Sequence, residues 1–269
     1  MPEPWPATSR SVKVLRWRDG SVENLDDVVA EEVPVQISYQ GIPHVVMLAT
    51  PADLEDLGVG FTMTEAIVAH PDEIRSVELQ RPDDALEVRI DIANDRFSAV
   101  LKRQRNLTGR TGCGVCGAET IEQAIRRPPP VGAGPVVSIA ELHRALEELQ
   151  TKQPVNRLTG SVHAAAWVEP GAGIRLARED VGRHNALDKV IGALVRAQAN
   201  MSAGYLVVTS RASYEMVQKA ATAGVGLLAA VSAPTALAIR LAEDSGVTLV
   251  GFARAHQHVV YAHGHRLVS

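Results

Sequence analysis

The residues best suited to chemistry are Cys113 and Cys116, held in Thr111-Gly112-Cys113-Gly114-Val115-Cys116-Gly117. They are the only two cysteines in 269 residues. A thiolate is both a nucleophile and a metal ligand, so placing both thiols in one glycine-flanked stretch points to chemistry more than to packing. Three chemistries fit. Two thiolates with His163 would make three ligands for a zinc ion with one open position. Zinc deaminases, however, need a glutamate close after their first ligand, and three alanines follow His163. That argues against hydrolytic zinc chemistry. A dithiol redox pair is the second reading, although Gly112, Gly114 and Gly117 suit reach better than a fixed potential. Sulfur carriage is the third: a cysteine persulfide on a loop that visits a donor and an acceptor, with the second thiol assisting release. Composition does not choose between redox and carriage. Lys102, Arg103, Arg105 and Arg110 crowd the approach to the cysteines. Such a run is ordinarily a solvated face; here it would also draw an anion or lower a thiol pKa.

A second concentration of reactive side chains is Arg178-Glu179-Asp180-Val181-Gly182-Arg183-His184-Asn185-Ala186-Leu187-Asp188-Lys189. It lies between a predicted strand at 174–177 and a predicted helix at 186–196. So many charges exceed what a helix cap needs, and the segment reads as a binding turn for a polar or phosphorylated ligand. His184 is of a type that titrates near neutral pH. His163 opens a run of small apolar residues and reads equally well as a satisfied core histidine.

These residues need elements to hold them. Strand-like and helical runs alternate through the second half: 206–209 then 213–223, 227–231 then 234–243, and 247–252. Continuous apolar strands between helices predict a largely parallel sheet covered on both faces. Ligands of such sheets bind beyond the carboxyl ends of the strands. Those ends carry Ser210 and Arg211, then Ser232 and Thr235, then Phe252, Ala253 and Arg254. Hydroxyls there are common helix caps; arginines at two ends of one sheet add an anion site.

The first half reads as α+β. Alternation predicts strands at 35–39 and 86–92, and Thr50-Pro51-Ala52-Asp53 predicts the start of a helix over 54–67. Residues 104–117 lack either period and read as a mobile loop, with a short helix over 119–126. Pro128-Pro129-Pro130-Val131-Gly132-Ala133-Gly134-Pro135 breaks any element and divides the chain into domains at 1–130 and 131–269. Ser138-Ile139-Ala140-Glu141 is a capping box for a helix through 150.

Bulk properties narrow the class. Hydrophobic residues make up 46% and charged residues 22%, with a net charge of -4. That is a globular composition without the basic footprint of a general nucleic-acid binder. The first ten residues carry no apolar signal region, no run reaches membrane-span length, and two cysteines make no disulfide framework. A cytoplasmic protein without membrane or nucleic-acid partners is expected.

The sequence resembles the family of formate dehydrogenase accessory sulfurtransferases, FdhD. The resemblance rests on Cys113-Gly114-Val115-Cys116-Gly117, the segment 178–189, Ser210-Arg211-Ala212-Ser213-Tyr214-Glu215 and Ser232-Ala233-Pro234-Thr235, with Glu31-Glu32-Val33-Pro34 and Gly58-Val59-Gly60-Phe61 in the first half. It implies a fold of class α/β, with a cytidine-deaminase-like C-terminal domain behind a smaller α+β domain, and a homodimer. It implies that sulfur passes from a cysteine desulfurase, as a cysteine persulfide, to a molybdenum or tungsten bis(molybdopterin guanine dinucleotide) cofactor destined for formate dehydrogenase. By the same resemblance Cys113 carries the persulfide and Cys116 assists. Phe252, Ala253, Arg254, Ala255, His256 and Gln257 match the family's cofactor-binding stretch. Arg183, His184, Asn185, Ser210, Arg211, Ser232 and Thr235 join them as cofactor-binding candidates, with a GDP or GMP moiety as the fragment recognised. No resident metal is implied. The alternative is a chaperone that inserts the cofactor without moving sulfur.

Overall fold

The structure, a computed structural model, describes residues 5–81, 85–107 and 127–269, with the backbone alone for 103–107. The cysteine pair, Arg110 and the helix expected over 119–126 lie outside the described residues. So does the loop expected over 104–117 from 108 onward. Residues 104–107 belong to a helix instead, because the amphipathic pattern begun at Asn94 runs through Leu107.

The first elements are β1 (Ser9–Arg18) and β2 (Ser21–Ala30), an antiparallel ribbon with no third strand among the described residues. Next come β3 (Val33–Tyr39), β4 (Ile42–Ala49), α1 (Leu54–Thr64), β5 (Ile74–Gln80), β6 (Leu86–Ile92) and α2 (Asn94–Leu107). The four strands from β3 to β6 form one sheet in the order β4-β3-β6-β5, with β3 and β6 parallel. Alternation places Val35, Ile37 and Tyr39 with Leu86, Val88, Ile90 and Ile92 on one face, where Leu54 and Leu57 of α1 and Val100 of α2 cover them.

The second half contains β7 (Val137–Ser138), α3 (Ile139–Thr151), α4 (Pro154–Thr159), β8 (His163–Glu169), β9 (Gly173–Asp180), α5 (Arg183–Arg196), β10 (Tyr205–Val208), α6 (Tyr214–Thr222), β11 (Leu227–Ala230), α7 (Ala236–Ser245), β12 (Thr248–Arg254), β13 (Gln257–Ala262) and β14 (Leu267–Val268). Its six-stranded sheet runs β13-β12-β11-β10-β8-β9. The sheet is covered on both faces, as expected: α5, α6 and α7 pack on one side and α3 on the other. It is not largely parallel. Only β10, β11 and β12 run together, while β8, β9 and β13 are antiparallel to their neighbours. The β8–β9 and β12–β13 connections are too short for the crossover that parallel pairing needs.

The capping box is in place: Ser138 Oγ accepts from Glu141 N, and the Glu141 carboxylate accepts from Ser138 N. The cap expected at Thr50 is not formed. Asp53 occupies the α1 N-cap with a left-handed φ of 53° and caps nothing with its side chain. Thr50 is drawn instead to the second half, where its Oγ1 accepts from Val181 N and its N–H donates to Asp180 Oδ2 at 3.0 Å.

The halves meet where α1 crosses α5. A Cβ on Gly60 would stand 1.8 Å from the carbonyl oxygen of Asp188, and one on Gly192 would stand 1.8 Å from that of Asp56. The two glycines permit a backbone-to-backbone approach closed to any other residue.

Candidate anion-binding end of the C-terminal sheet

Topology gathers the candidates. Strand β8 is antiparallel to β10, so it starts where β10 ends; β9 is antiparallel to β8, so it finishes there too. One end of the sheet therefore collects His163, the β9–α5 turn and the loops leaving β10, β11 and β12. These last three loops are laced together. Ala212 and Pro234 form a parallel bridge, Thr235 N donates to Ala212 O at 3.1 Å, and Phe252 N donates to Ser232 O at 3.1 Å. The N-termini of α5, α6 and α7 open at the same end, where free amides favour anions.

Side chains there are poised rather than satisfied. Arg183 Nε and Ser213 Oγ are buried without a hydrogen-bond partner among the described residues. Buried polar atoms are seldom left so. Ser213 is the α6 N-cap yet makes no side-chain cap. His184 Nε2 lies 2.8 Å from Glu215 Oε2, off the line of a good hydrogen bond. The Glu215 carboxyl is held below the usual range by that contact first, against its own burial, with help from Lys219 and Arg183. His163 is half-buried, and its pKa falls through burial first and then through the positive fields of Arg183, His184 and Arg211. It therefore faces this end as a neutral imidazole at physiological pH. Three guanidiniums (Arg183 opening α5, Arg211 after β10 and Arg254 ending β12) and the uncapped α6 N-terminus lie at this end of the sheet, and are groups of the kind that bind negative charge.

Not every sequence candidate belongs to it. Arg183, His184, Arg211, Ser232 and Thr235 lie on the turns at this end, and Thr235 Oγ1 is occupied in accepting from Ala238 N. Phe252 is exposed with φ 49°, and Arg254, Ala255, His256 and Gln257 form the tip of the β12–β13 hairpin. Ala253 is wholly buried in the core, and Ser210 is buried with its hydroxyl turned to the Arg211 carbonyl. Asn185 turns inward: its Nδ2 donates to Leu48 O at 2.8 Å and to Asp180 Oδ1 at 2.9 Å.

Most of the 178–189 segment follows Asn185, which corrects its reading as a binding turn. Arg178 bridges Asp56 and Asp53 on the first half, and Glu179 accepts from Val155 N and Asn156 N at the start of α4. Asp180 and Lys189 form a fully buried pair at 2.6 Å, and Lys189 Nζ also donates to Thr50 O. Asp188 accepts from Lys219, which reaches Glu65 as well, and from Thr64. Arg178, Asp180, Asn185, Asp188 and Lys189 join the halves because helix and strand direct them toward α1 and the end of β4, whereas Glu179 points the other way, to α4. Ser213 and Glu215 stand in the 210–215 motif but are not among the candidate site residues read from the sequence. Their meaning comes from lying beside α5, which spacing along the chain does not reveal.

Among the described residues no group of three His, Cys, Asp or Glu is placed to hold a metal ion. No described helix is long and apolar enough to cross a membrane.

Residues 30–268 match the FdhD/NarQ family. The chain belongs to that family. Sulfur carrier protein FdhD of Cupriavidus necator is 50% identical to it over 262 residues, covering 97% of this chain and 91% of that protein. The protein of the same name from Xanthomonas campestris pv. campestris strain B100 is 51% identical over 254 residues, 94% and 90% of the two chains. Among solved structures, one described as a formate dehydrogenase accessory protein from Desulfotalea psychrophila superposes with a TM-score of 0.76 at 24% identity, covering 97% of this chain and 100% of that one. At that identity it speaks to the fold alone. The FdhD/NarQ match spans both the four-stranded and the six-stranded sheet, so the join between them lies within the shared family region.

Proposed function

We propose that this protein is a sulfurtransferase: it carries sulfur as a persulfide and delivers it to a molybdenum or tungsten bis(molybdopterin guanine dinucleotide) cofactor required by formate dehydrogenase. The observation that carries this reading is 50% identity to a sulfur carrier protein FdhD across 97% of the chain. A cysteine desulfurase is the donor, Cys113 the carrier and Cys116 the thiol that assists. The anion-binding end of the six-stranded sheet receives the nucleotide part of the cofactor, with Arg183, Arg211 and Arg254 opposing its phosphates. The group supplies the metal that accepts sulfur; this chain's residues bind and orient it. Two domains are proposed, with the boundary at 130/131. The second is cytidine-deaminase-like, in keeping with its mixed sheet faced by helices on both sides. The protein works as a homodimer in the cytoplasm.

Incubation with a desulfurase and cysteine, followed by mass spectrometry, tests the carrier role. Added sulfur on Cys113 is expected, and its loss in Cys113→Ala. Cofactor binding with no sulfur ever added would favour an insertion chaperone instead. For the acceptor end, Arg211→Ala is expected to weaken GDP binding at least tenfold; an unchanged affinity counts against the site.

A further inference from the structure

His143 on α3 and His258 on β13 stand apart from the anion-binding groups and touch each other. Nε2 of His143 lies 3.0 Å from Nδ1 of His258, and both rings are half-buried. The ring centroids are 5.2 Å apart, so the facing nitrogens lie close to the line joining the rings. They point at each other and do not converge on a third point, which is the geometry of one shared proton and not of a metal site. An imidazole nitrogen donates when it carries hydrogen and accepts when it does not. The bond therefore forms with both rings neutral and with one ring charged. It fails when both are charged, because both nitrogens then donate and two cations face each other.

The second proton enters against burial first and the charge of His143 second, and both push the His258 pKa down. Around the pair, α3 brings Arg144 and Glu147, β12 brings Arg254 and the hairpin tip brings His256, while α7 brings Arg240, Glu243 and Asp244 on the opposite face of the sheet. These leave His258 where burial and His143 put it. Its folded pKa lies below the ordinary histidine value, so the stabilisation is complete above about pH 6.5 and declines as pH falls from there through the folded value.

The bond secures a weakly determined element. Among the described residues β13 pairs with β12 alone, at the edge of the six-stranded sheet. That pairing shifts register twice, between Leu249 and Val250 and between Gly251 and Arg254, and Phe252 sits within the second shift at φ 49°. Such shifts leave backbone groups out of the ladder. Arg254 pairs with Gln257, the residue directly before His258. We propose that His143 and His258 form a proton-operated latch, which holds the β12–β13 hairpin and its Arg254 against α3 and releases them when both rings are charged.

Hydrogen exchange of the full chain, corrected for intrinsic rates, tests the latch from about pH 7.5 to about pH 5 in wild type, His143→Gln and His258→Gln. Glutamine carries a donor and an acceptor, so it bonds the remaining histidine whether or not that ring is charged. In wild type, protection of 257–262 is expected to fall at least tenfold over this range while β10 and β11 keep theirs. In either glutamine variant it should hold. His265→Gln, which alters an exposed histidine outside the pair, should behave as wild type. Protection of β13 that falls no further than that of β10 would overturn the latch, as would an equal fall in wild type and both glutamine variants. The consequence for Arg254 rests on the proposed function and is read separately, by GDP titration over the same range. Affinity should drop in wild type and persist in His143→Gln; an equal drop in both would overturn the link to Arg254. GDP that fails to bind even at neutral pH would count against the anion-binding end alone, because the exchange result does not depend on it.

Discussion

Arg183 and Asn185 are two positions apart and face opposite ways. Arg183 lies at the sheet end with Nε unpartnered among the described residues, whereas Asn185 looks in and is bound by two acceptors. Their chemistry was legible in the sequence as a dense polar segment, but their direction was not, because direction depends on where α5 begins. The structure starts it at Arg183 and not at the expected Ala186. Arg183→Ala should lower GDP affinity about tenfold with little change in melting temperature. Asn185→Ala should do the reverse, costing about 1–3 kcal/mol by leaving buried acceptors unpaired; calorimetry and nucleotide titration separate the two. Glu215 gives a pH signature. Its folded pKa is depressed, so its contribution to stability is complete above the ordinary glutamate value of about 4.3 and is lost as pH falls through the folded value. The melting-temperature gap between wild type and Glu215→Gln should be present at about pH 5 and close as further acidification passes through the folded value.

At the scale of elements, what was legible was what is local. Alternation located the strand at Leu86–Ile92, and a capping box located the helix after Ser138, since both signals arise between neighbours in the chain. Strand direction was not legible, because β10 through β12 have the same continuous apolar character whatever their neighbours do. The ribbon at the start of the chain was missed for a similar reason: its apolar residues lack a face that is buried in the chain's own core. The crossing of α1 on α5 is also tertiary, although Gly58-Val59-Gly60 was visible as a motif. Gly192→Ala tests that crossing. A methyl group would have to share space with the Asp56 carbonyl, which no rotamer change relieves. A loss of about 3 kcal/mol or more is expected by chemical denaturation, at the upper end of overpacking costs. Alanine at an exposed α5 position should be neutral.

For the molecule as a whole, the question is why so many charges lie inside. Asp180, Lys189, Asp188 and Lys219 are all buried, and Arg178 and Arg196 both reach Asp56 from the second half. Buried pairs are weak sources of net stability, since desolvation offsets most of their attraction, but losing one partner is severe. Their effect is to make the join selective. Asp180 receives Lys189, Asn185 and the Thr50 amide, while Asn185 and Lys189 reach the carbonyls of Leu48 and Thr50, so the end of β4 has one seat on α5 and no near-equivalent beside it. This fixes the end of β4, and with it the four-stranded sheet, on α5. Lys189→Met leaves the Asp180 carboxylate buried without its cation and should cost about 3–5 kcal/mol. Adding Asp180→Asn should recover part of that loss, because the amide retains acceptor capacity for Thr50 without the charge. Hydrogen exchange distinguishes a seam from a merely weakened core. In Lys189→Met, protection should fall first in β4 and α1, ahead of β10 and β11. Uniform loss across both sheets would mean that the pair supports general stability only. Under the proposed function, at temperatures where the variant stays folded, Cys113 should still load sulfur while delivery to the cofactor slows, because delivery would need both halves in register.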